Sequence, residues 1–447
     1  MRRTLIQNAK IVNEGSVFVG SVLIDGDIIA DIIPFGESLP TYDYNTVEAH
    51  GMYLFPGIID DHVHFREPGL THKANMASES AAAAAGGVTT VFDMPNTLPT
   101  TTSIKDLQEK YRIAAKECLV NHSFYFGATS DNLHIIENID PVSVCGIKVF
   151  MGSSTGNMLL DNRESLLRLF KISPVLIAAH CEDSSIINSN LAKYTESCQG
   201  EPDITYHPLI RSAEACYRSS AFAIELAHQT GARLHILHIS TAKELELLQD
   251  KPSNVKLVTA EVCPAHLMFH QGYYKTLGTR IKCNPAIKTT EDREALREAL
   301  KSYKIDVVGT DHAPHLLSEK KGGSVSAASG MPILPYSLPA LLELSNKGFI
   351  SLPGIAQKMC HNPAIIFNIE KRGFIRKGYK ADFALVSETG QGQVVKPSTL
   401  PSLCGWSPFE GIEFKWSVKQ TWINGNKIYE DGRFFKEHKG DIVTFVR

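Results

Sequence analysis

The stretch Ile58-Ile59-Asp60-Asp61-His62-Val63-His64-Phe65-Arg66-Glu67-Pro68-Gly69 decides how this chain is read. Its β-branched start predicts a strand. The first strand of a doubly wound open sheet would run into a glycine-rich phosphate turn, whereas this one runs into alternating polar residues. Side chains alternate along a strand, so His62 and His64 leave the same face, as two ligands of one metal ion require. Alone, a His-x-His pair also suits a structural or surface feature.

Working outward, similar β-rich runs recur at Ile58-Val63, Val88-Met94, Ser123-Gly127, Gly146-Phe150, Val175-Ala179, Arg233-Leu237, Lys256-Val262 and Asp306-Gly309. Helical patterns fall between many of them, at Ile104-Cys118, Arg163-Phe170, Arg211-Gln229 and Thr290-Tyr303, and Ala81-Ala85 sits in a helix stopped by Gly86-Gly87. Eight strands separated by helices predict an α/β fold, a (β/α)8 TIM-like barrel, over residues 54–369. Residues 1–53 and 370–447 read instead as short strands with turns at Asp25-Gly26-Asp27, Asn424-Gly425 and Asp431-Gly432. The two ends are expected to pair into one small discontinuous β-sandwich domain, with the barrel inserted into it. At 447 residues the chain is long enough for both.

Further polar residues close the predicted strands. His180 follows Val175-Leu176-Ile177-Ala178-Ala179, His238 follows Leu234-His235-Ile236-Leu237, and Asp311 follows Val307-Val308-Gly309-Thr310. With His62 and His64 they sit at C-terminal strand ends, the face where barrel enzymes assemble active sites. Lys148, inside Gly146-Ile147-Lys148-Val149-Phe150, reads alone as a stem that snorkels to a strand end. Beside four histidines it reads better as a lysine carrying CO2, a carbamate that bridges metals. His235 lies an odd number of residues before His238 and is expected to face away, in the core or on the barrel exterior. His312 is assigned to positioning its loop; His266, in Cys263-Pro264-Ala265-His266, either lines the site or orients a ligand.

Composition bounds the partners. Apolar residues at 43% and charged residues at 21% suit a soluble globular enzyme. A net charge of -3, from 45 Lys+Arg against 48 Asp+Glu, provides no broad field for nucleic acid or anionic membrane, so an anionic substrate must be held locally. Residues Met1-Asn8 carry two arginines without a following apolar segment, and no apolar run approaches spanning length, which makes a cytoplasmic protein the expectation. Nine cysteines without a Cys-x-x-Cys pair predict buried, reduced thiols, and Cys181 points away from the face of His180.

Taken together, Asp60-Gly69 resembles the signature of bacterial dihydroorotases within the amidohydrolase superfamily. The resemblance continues through Asp93-Met94-Pro95-Asn96-Thr97, Gly146-Gly152, Lys282-Cys283-Asn284-Pro285-Ala286, Gly309-Thr310-Asp311-His312-Ala313-Pro314-His315, Ser407-Gly411 and Asn424-Gly425-Asn426, covering essentially the whole chain. It departs at Gly330-Tyr336, which lacks the family's usual Gly and Glu, and at Ala265, where a second His is common. The resemblance implies two zinc ions: His62, His64 and Asp311 on one, His180 and His238 on the other, with carboxylated Lys148 and a hydroxide between them. It also implies that Arg66, Asn96, Asn284 and His315 hold substrate. Arg66 separates close relatives, because a dihydroorotase needs a cation for its substrate's carboxylate, and a guanidinium presents a fitting fork of donors.

The implied activity is the reversible, zinc-dependent closure of N-carbamoyl-L-aspartate to L-dihydroorotate in pyrimidine biosynthesis, with Asp311 as the general base that becomes general acid. The implied partner is that small molecule; a homo-oligomer, possibly a dimer, and an aspartate carbamoyltransferase partner also fit. Two other readings compete: a hydantoinase or allantoinase, and a catalytically inactive scaffold for aspartate carbamoyltransferase.

Overall fold

The computed structural model describes residues 3–152, 158–397 and 401–447; Met1 and Arg2, part of the N-terminal reading, lie outside them. The chain opens with an antiparallel meander, β1 (Thr4–Asn13), β2 (Ser16–Asp25) and β3 (Ile28–Pro34), then β4 (Asn45–Glu48) and β5 (Tyr53–Pro56). Next come the parallel strands β6 (Ile58–Val63), β7 (Val88–Asp93), β8 (Asn121–Phe124), β9 (Phe126–Gly127), β10 (Ile147–Phe150), β11 (Ile177–His180), β12 (Leu234–Ile236), β13 (Val258–Val262) and β14 (Val307–Val308).

β8 and β9 are one stave interrupted at Tyr125, whose N–H turns to Asp93 O while Phe126 N–H goes to Gly146 O (both 3.1 Å). That stave joins the β6-β7-β8 sheet to the β9-to-β14 sheet, and the parallel bridge between Val63 and His312 brings the last stave back to the first. The result is a closed ring of eight staves, the (β/α)8 TIM-like barrel expected from the sequence.

Alternation along the staves divides the core. Leu234 and Ile236 point outward into the layer under the helices, with Ala223, Leu226 and Ala227 of the helix Ala213–Thr230. Ile59, Phe92, Tyr125, Leu176, Ala178 and Val307 point inward and pack with Phe367 and Phe445, which floor the barrel with aromatic rings. An apolar plug at one end leaves the polar strand ends to form the other.

Three helices are shorter than their periodicity predicts, the one starting at Ile104 by its last residue alone, since Cys118 is its C-cap. Ser212 takes the N-cap of Ala213–Thr230, its hydroxyl accepting from Ala215 N, so Arg211 stands before the helix instead of opening it. The helix starting at Thr290 ends at Ala299 and continues only as tight turns, with Leu300 N–H reaching back three residues to Arg297 O.

Both chain ends share one nine-stranded sheet. It contains β15 (Phe383–Val394), β16 (Glu413–Ile423), β17 (Asn426–Glu430) and β18 (Arg433–Phe434), in the order β18-β17-β16-β15-β5-β1-β2-β3 with β4 beside β1. The antiparallel pairing of β15 with β5 makes the junction between the ends. The hairpin turn Asn424-Gly425 runs through left-handed conformations at φ 50° and 75°, and a Cβ on Gly425 would lie 2.0 Å from Gly26 O of the β2–β3 turn, so glycine is required there. Among the described residues no helix is long and apolar enough to cross a membrane.

The sheet is fastened to the barrel by a buried polar knot. Asp382 accepts from Arg372 and, at 3.2 Å, from Asn121 Nδ2 on β8; Asn424 N–H donates to it at 2.8 Å. The Arg372 and Asp382 side chains are only 4% and 3% exposed. Removing one partner of such a pair strands the other charge without solvent. Asp382→Ala is therefore expected to lower unfolding free energy by about 3–5 kcal/mol, and denaturant melting at an unchanged midpoint would contradict this role.

Candidate active site

The C-terminal strand ends surround a cavity of about 440 Å³, lined by all ten residues singled out from the sequence: His62, His64, Arg66, Asn96, Lys148, His180, His238, Asn284, Asp311 and His315. β6 delivers both His62 and, one residue past its end, His64; each Nε2 faces Asp311 Oδ1, at 3.2 and 3.1 Å. Their outer nitrogens are occupied: His62 Nδ1 is 3.1 Å from Glu261 Oε1, and His64 Nδ1 is 2.8 Å from Asn96 Oδ1. Asp311 Oδ1 is an acceptor too, so a neutral ring serves one side only; with Nδ1–H held by Glu261 or Asn96, the Nε2 lone pair of each ring is left for a cation beside Asp311.

In the second pair His180 is turned the other way, while His238 presents Nε2 as His62 and His64 do. His180 places Nε2 3.0 Å from Glu182 Oε2, which leaves Nδ1 facing His238 Nε2 at 3.0 Å. Burial keeps these imidazoles neutral: it depresses His62 to about 3, and it lowers His64, His180 and His238 as well. Ligand atoms of His62, His238 and Asp311 all lie within 4.8 Å of one another. Neutral imidazoles with inward lone pairs beside a carboxylate are a donor set that fits a divalent cation.

Lys148, central on β10, is 1% exposed and does not snorkel; its Nζ lies 4.6 Å from the centre of the Phe150 ring. Burial lowers it from 10.5 to about 8, with Asp311 and Glu261 opposing the shift. Its ammonium thus gives up a proton near neutral pH, the form an amine needs to take up CO2.

Arg66 is buried, sits at φ 67°, donates through Nε to Pro314 O (3.2 Å) and brings Nη2 to 3.1 Å from His315 Nε2. Burial lowers it only to about 10, so it remains a cation at neutral pH. Asn96 reaches the cavity but its oxygen serves His64, making it a ligand orienter as well as a cavity residue. The Asn284 Oδ1 atom is buried and finds no hydrogen-bond partner among the described residues.

Other histidines fall into bracing roles. His235 is in the barrel interior, neither exterior nor facing the cavity, with Nδ1 2.8 Å from Thr259 Oγ1 and Nε2 3.1 Å from Asp61 Oδ2. Odd spacing should have put His238 on the opposite face, yet both turn inward, because β12 ends at Ile236 and His238 adopts φ 41°. His312 accepts from Ile333 and Leu334 N–H and reaches Glu79 Oε2 at 2.7 Å, holding its loop as expected. His266 does not line the cavity; its Nε2 bonds Pro285 O (3.1 Å), bracing the residue next to Asn284. Burial pushes the Cys181 thiol up to about 12, far from a thiolate.

Sequence reasoning missed Glu261, Glu182, Arg211 and Lys73. Glu261 is wholly buried, pushed up to about 7 by burial, and also accepts from His238 N–H at 2.9 Å. Burial would raise Glu182 too, but Arg211 and His180 hold it at about 2. For the two glutamates the available signal was a place inside or beside an apolar strand run, which raises the question of burial without naming the partner.

A model of the amidohydrolase family matches residues 53–428. The dihydroorotase of Methanothermobacter thermautotrophicus is 32% identical over 86% of either chain, and that of Methanosphaera stadtmanae is 30% identical over 98% of either chain. Among solved structures, the L-hydantoinase (dihydropyrimidinase) from Arthrobacter aurescens superposes with a TM-score of 0.93 at 26% identity, covering 99% of this chain and 100% of that one. A dihydropyrimidinase from Brevibacillus agri gives 0.88 at 25% identity, with both chains fully covered.

The carboxylate behind His180 predicts a measurable effect on metal affinity. Glu182→Ala frees the imidazole to rotate and should weaken divalent-cation binding by about 10- to 100-fold, read by competition with a chromophoric chelator. Unchanged affinity would show that His180 is oriented by something else.

Proposed function

This chain belongs to the amidohydrolase family, and on that premise we propose that it is a dihydroorotase. It closes N-carbamoyl-L-aspartate to L-dihydroorotate, and opens it again, on the route to pyrimidines. The observation that carries this reading is Arg66, a buried guanidinium in the same cavity as the histidine and aspartate cluster. A chain with a net charge of -3 attracts no anion by its overall field, so a substrate carboxylate has to be met by a local cation. Relatives named dihydroorotase, matched over most of their length, support the same choice.

In this reading His62, His64, Lys148 as its carbamate, His180, His238 and Asp311 would hold two zinc ions, which when bound would supply polarisation of a carbonyl and a lowered pKa of water. The chain's own residues do the rest. Arg66 and His315 take the substrate carboxylate, Asn284 offers its unpartnered amide oxygen to a ring N–H, and Asn96 keeps His64 in one tautomer. Asp311, with Oδ1 at the focus of His62 and His64, accepts the proton of the attacking water and returns it to the leaving ring nitrogen.

The hydantoinase reading has the whole-chain superposition in its favour. That likeness concerns the shared scaffold, whereas the buried Arg66 concerns the substrate. An inactive scaffold is disfavoured because every proposed ligand is present and lines one cavity.

Lys148 makes a signed pH prediction. Its neutral amine accumulates above about 8, where an ordinary lysine would need 10.5. In metal-free protein at fixed dissolved CO2, a labelled carbamate signal in carbon NMR should therefore grow as pH rises through 8, and Lys148→Ala should lack it. No carbamate in the wild type at any pH would remove the bridging role.

Arg66→Met tests the substrate. The loss of kcat/KM for dihydroorotate should exceed the loss for uncharged dihydrouracil by on the order of 100-fold, about 3 kcal/mol, with zinc content unchanged. Equal losses on both substrates, or a wild type that prefers dihydrouracil, would move the protein to the hydantoinase reading.

A further inference from the structure

Behind the proposed carboxylate clamp, His315 stands between two cations. Its Nε2 is 3.1 Å from Arg66 Nη2 and its Nδ1 is 3.2 Å from Lys73 Nζ. A neutral imidazole has one N–H and one lone pair, while guanidinium and ammonium groups only donate, so the ring cannot satisfy both at once. A third group resolves the conflict: Glu319 Oε2 lies 3.4 Å from the same Nδ1, while Glu319 Oε1 takes Lys73 at 3.2 Å. One ring nitrogen therefore faces a donor and an acceptor side by side, and can be served in either protonation state.

We infer that Lys73 is a positioning residue that, together with Glu319, selects which ring nitrogen of His315 carries the proton. With Nδ1–H directed at Glu319, Nε2 accepts from Arg66. With Nδ1 accepting from Lys73, Nε2–H becomes a donor and needs an acceptor in the cavity. A substrate carboxylate that engages Arg66 supplies one. The ring does not solve the problem by taking a second proton, because burial and the adjacent Arg66 and Lys73 drive its pKa far below the usual imidazole range.

The frame around the ring favours a fixed location for this exchange. Trp406 Nε1 donates to His315 O at 2.6 Å, Leu316 N–H donates to Glu319 Oε2 at 2.8 Å, and the Lys73 and His315 residues are 6% and 8% exposed. Lys73 lies on the loop following β6 and Glu319 on the loop following β14, so their ion pair also ties the first and last staves at the cavity rim. His72, 3.6 Å from Glu319 Oε1, is exposed and is the other group that shares this carboxylate.

The consequence for substrate rests on the dihydroorotase reading, and two measurements keep the two claims apart. The first needs no substrate: nitrogen NMR of ring-labelled His315 reports its tautomer directly. Arg66→Met removes the donor at Nε2, so the proton should move to Nε2; in Arg66→Met/Lys73→Met it should return to Nδ1, facing Glu319. The same tautomer in both proteins would overturn the inference, whatever the enzyme's substrate. The second is kinetic. Lys73→Met should raise KM for dihydroorotate about tenfold more than KM for dihydrouracil, with the effect in KM rather than kcat, and Lys73→Arg should restore most of it. Equal effects on the two substrates would reduce Lys73 to a structural brace. A wild type inactive on dihydroorotate, with the tautomer shift intact, would instead remove the dihydroorotase reading.

Discussion

Asp60 holds the first and last staves of the barrel together. Its Oδ1 accepts from the N–H of His62 at 3.2 Å and from the N–H of Thr310 at 3.0 Å, while Thr310 Oγ1 reaches back to His62 O at 3.3 Å. Since His62 and His64 arrive on one side of this seam and Asp311 on the other, the spacing of the candidate ligands is set by it. Asp311 itself adopts φ 49°, a left-handed conformation that aspartate tolerates better than most residues. His312, the residue after Asp311, is itself pinned: its carbonyl accepts from His64 N–H at 2.8 Å and its ring is held by Glu79. The site is thus built from main-chain closure, with side-chain chemistry laid over it.

Beneath the histidines lies a polar layer that an apolar barrel would not contain. Asp61, His235 and Glu261 are wholly buried between the aromatic floor and the cavity. Gly309 leaves them room, since a Cβ there would fall 2.6 Å from Glu261 Oε2 and 2.7 Å from Asp61 Oδ1. Burying carboxylates costs free energy, and the return is orientation: Glu261 fixes the tautomer of His62 and the main chain of His238 together. Glu182 does the same for His180, with Arg211 as its countercharge.

Much of this was legible from residue spacing. His62 and His64 share a face because side chains alternate along a strand, and His180 and Asp311 close or follow apolar runs, which placed them at one rim of a barrel. The turns at Asn424-Gly425 and Asp431-Gly432 were equally readable, since both pairs occupy left-handed φ that few residues accept. His238 was found as a strand-end residue, but its direction relative to His235 was not, because the alternation stops at Ile236. Glu182 and Glu261 were invisible as orienters for another reason. An acidic residue near a strand looks alike in sequence whether it meets water or an imidazole.

By itself the sequence determined the number and order of the staves and the strand-end positions of His62, His64, His180, His238 and Asp311, which follow from local periodicity and residue type acting over a few positions. Arg66, Asn96, Asn284 and His315 came from the family resemblance alone. Only the tertiary structure decided which nitrogen of each histidine faces inward, that Asn96 serves His64, and that Lys73 and Glu319 meet His315 across the seam. Those outcomes depend on hydrogen-bond partners up to about 250 residues away along the chain, as Asp60 and Thr310 are. They become defined only when the ring closes and water is excluded, because an imidazole in solvent has no reason to prefer one tautomer's partner over another.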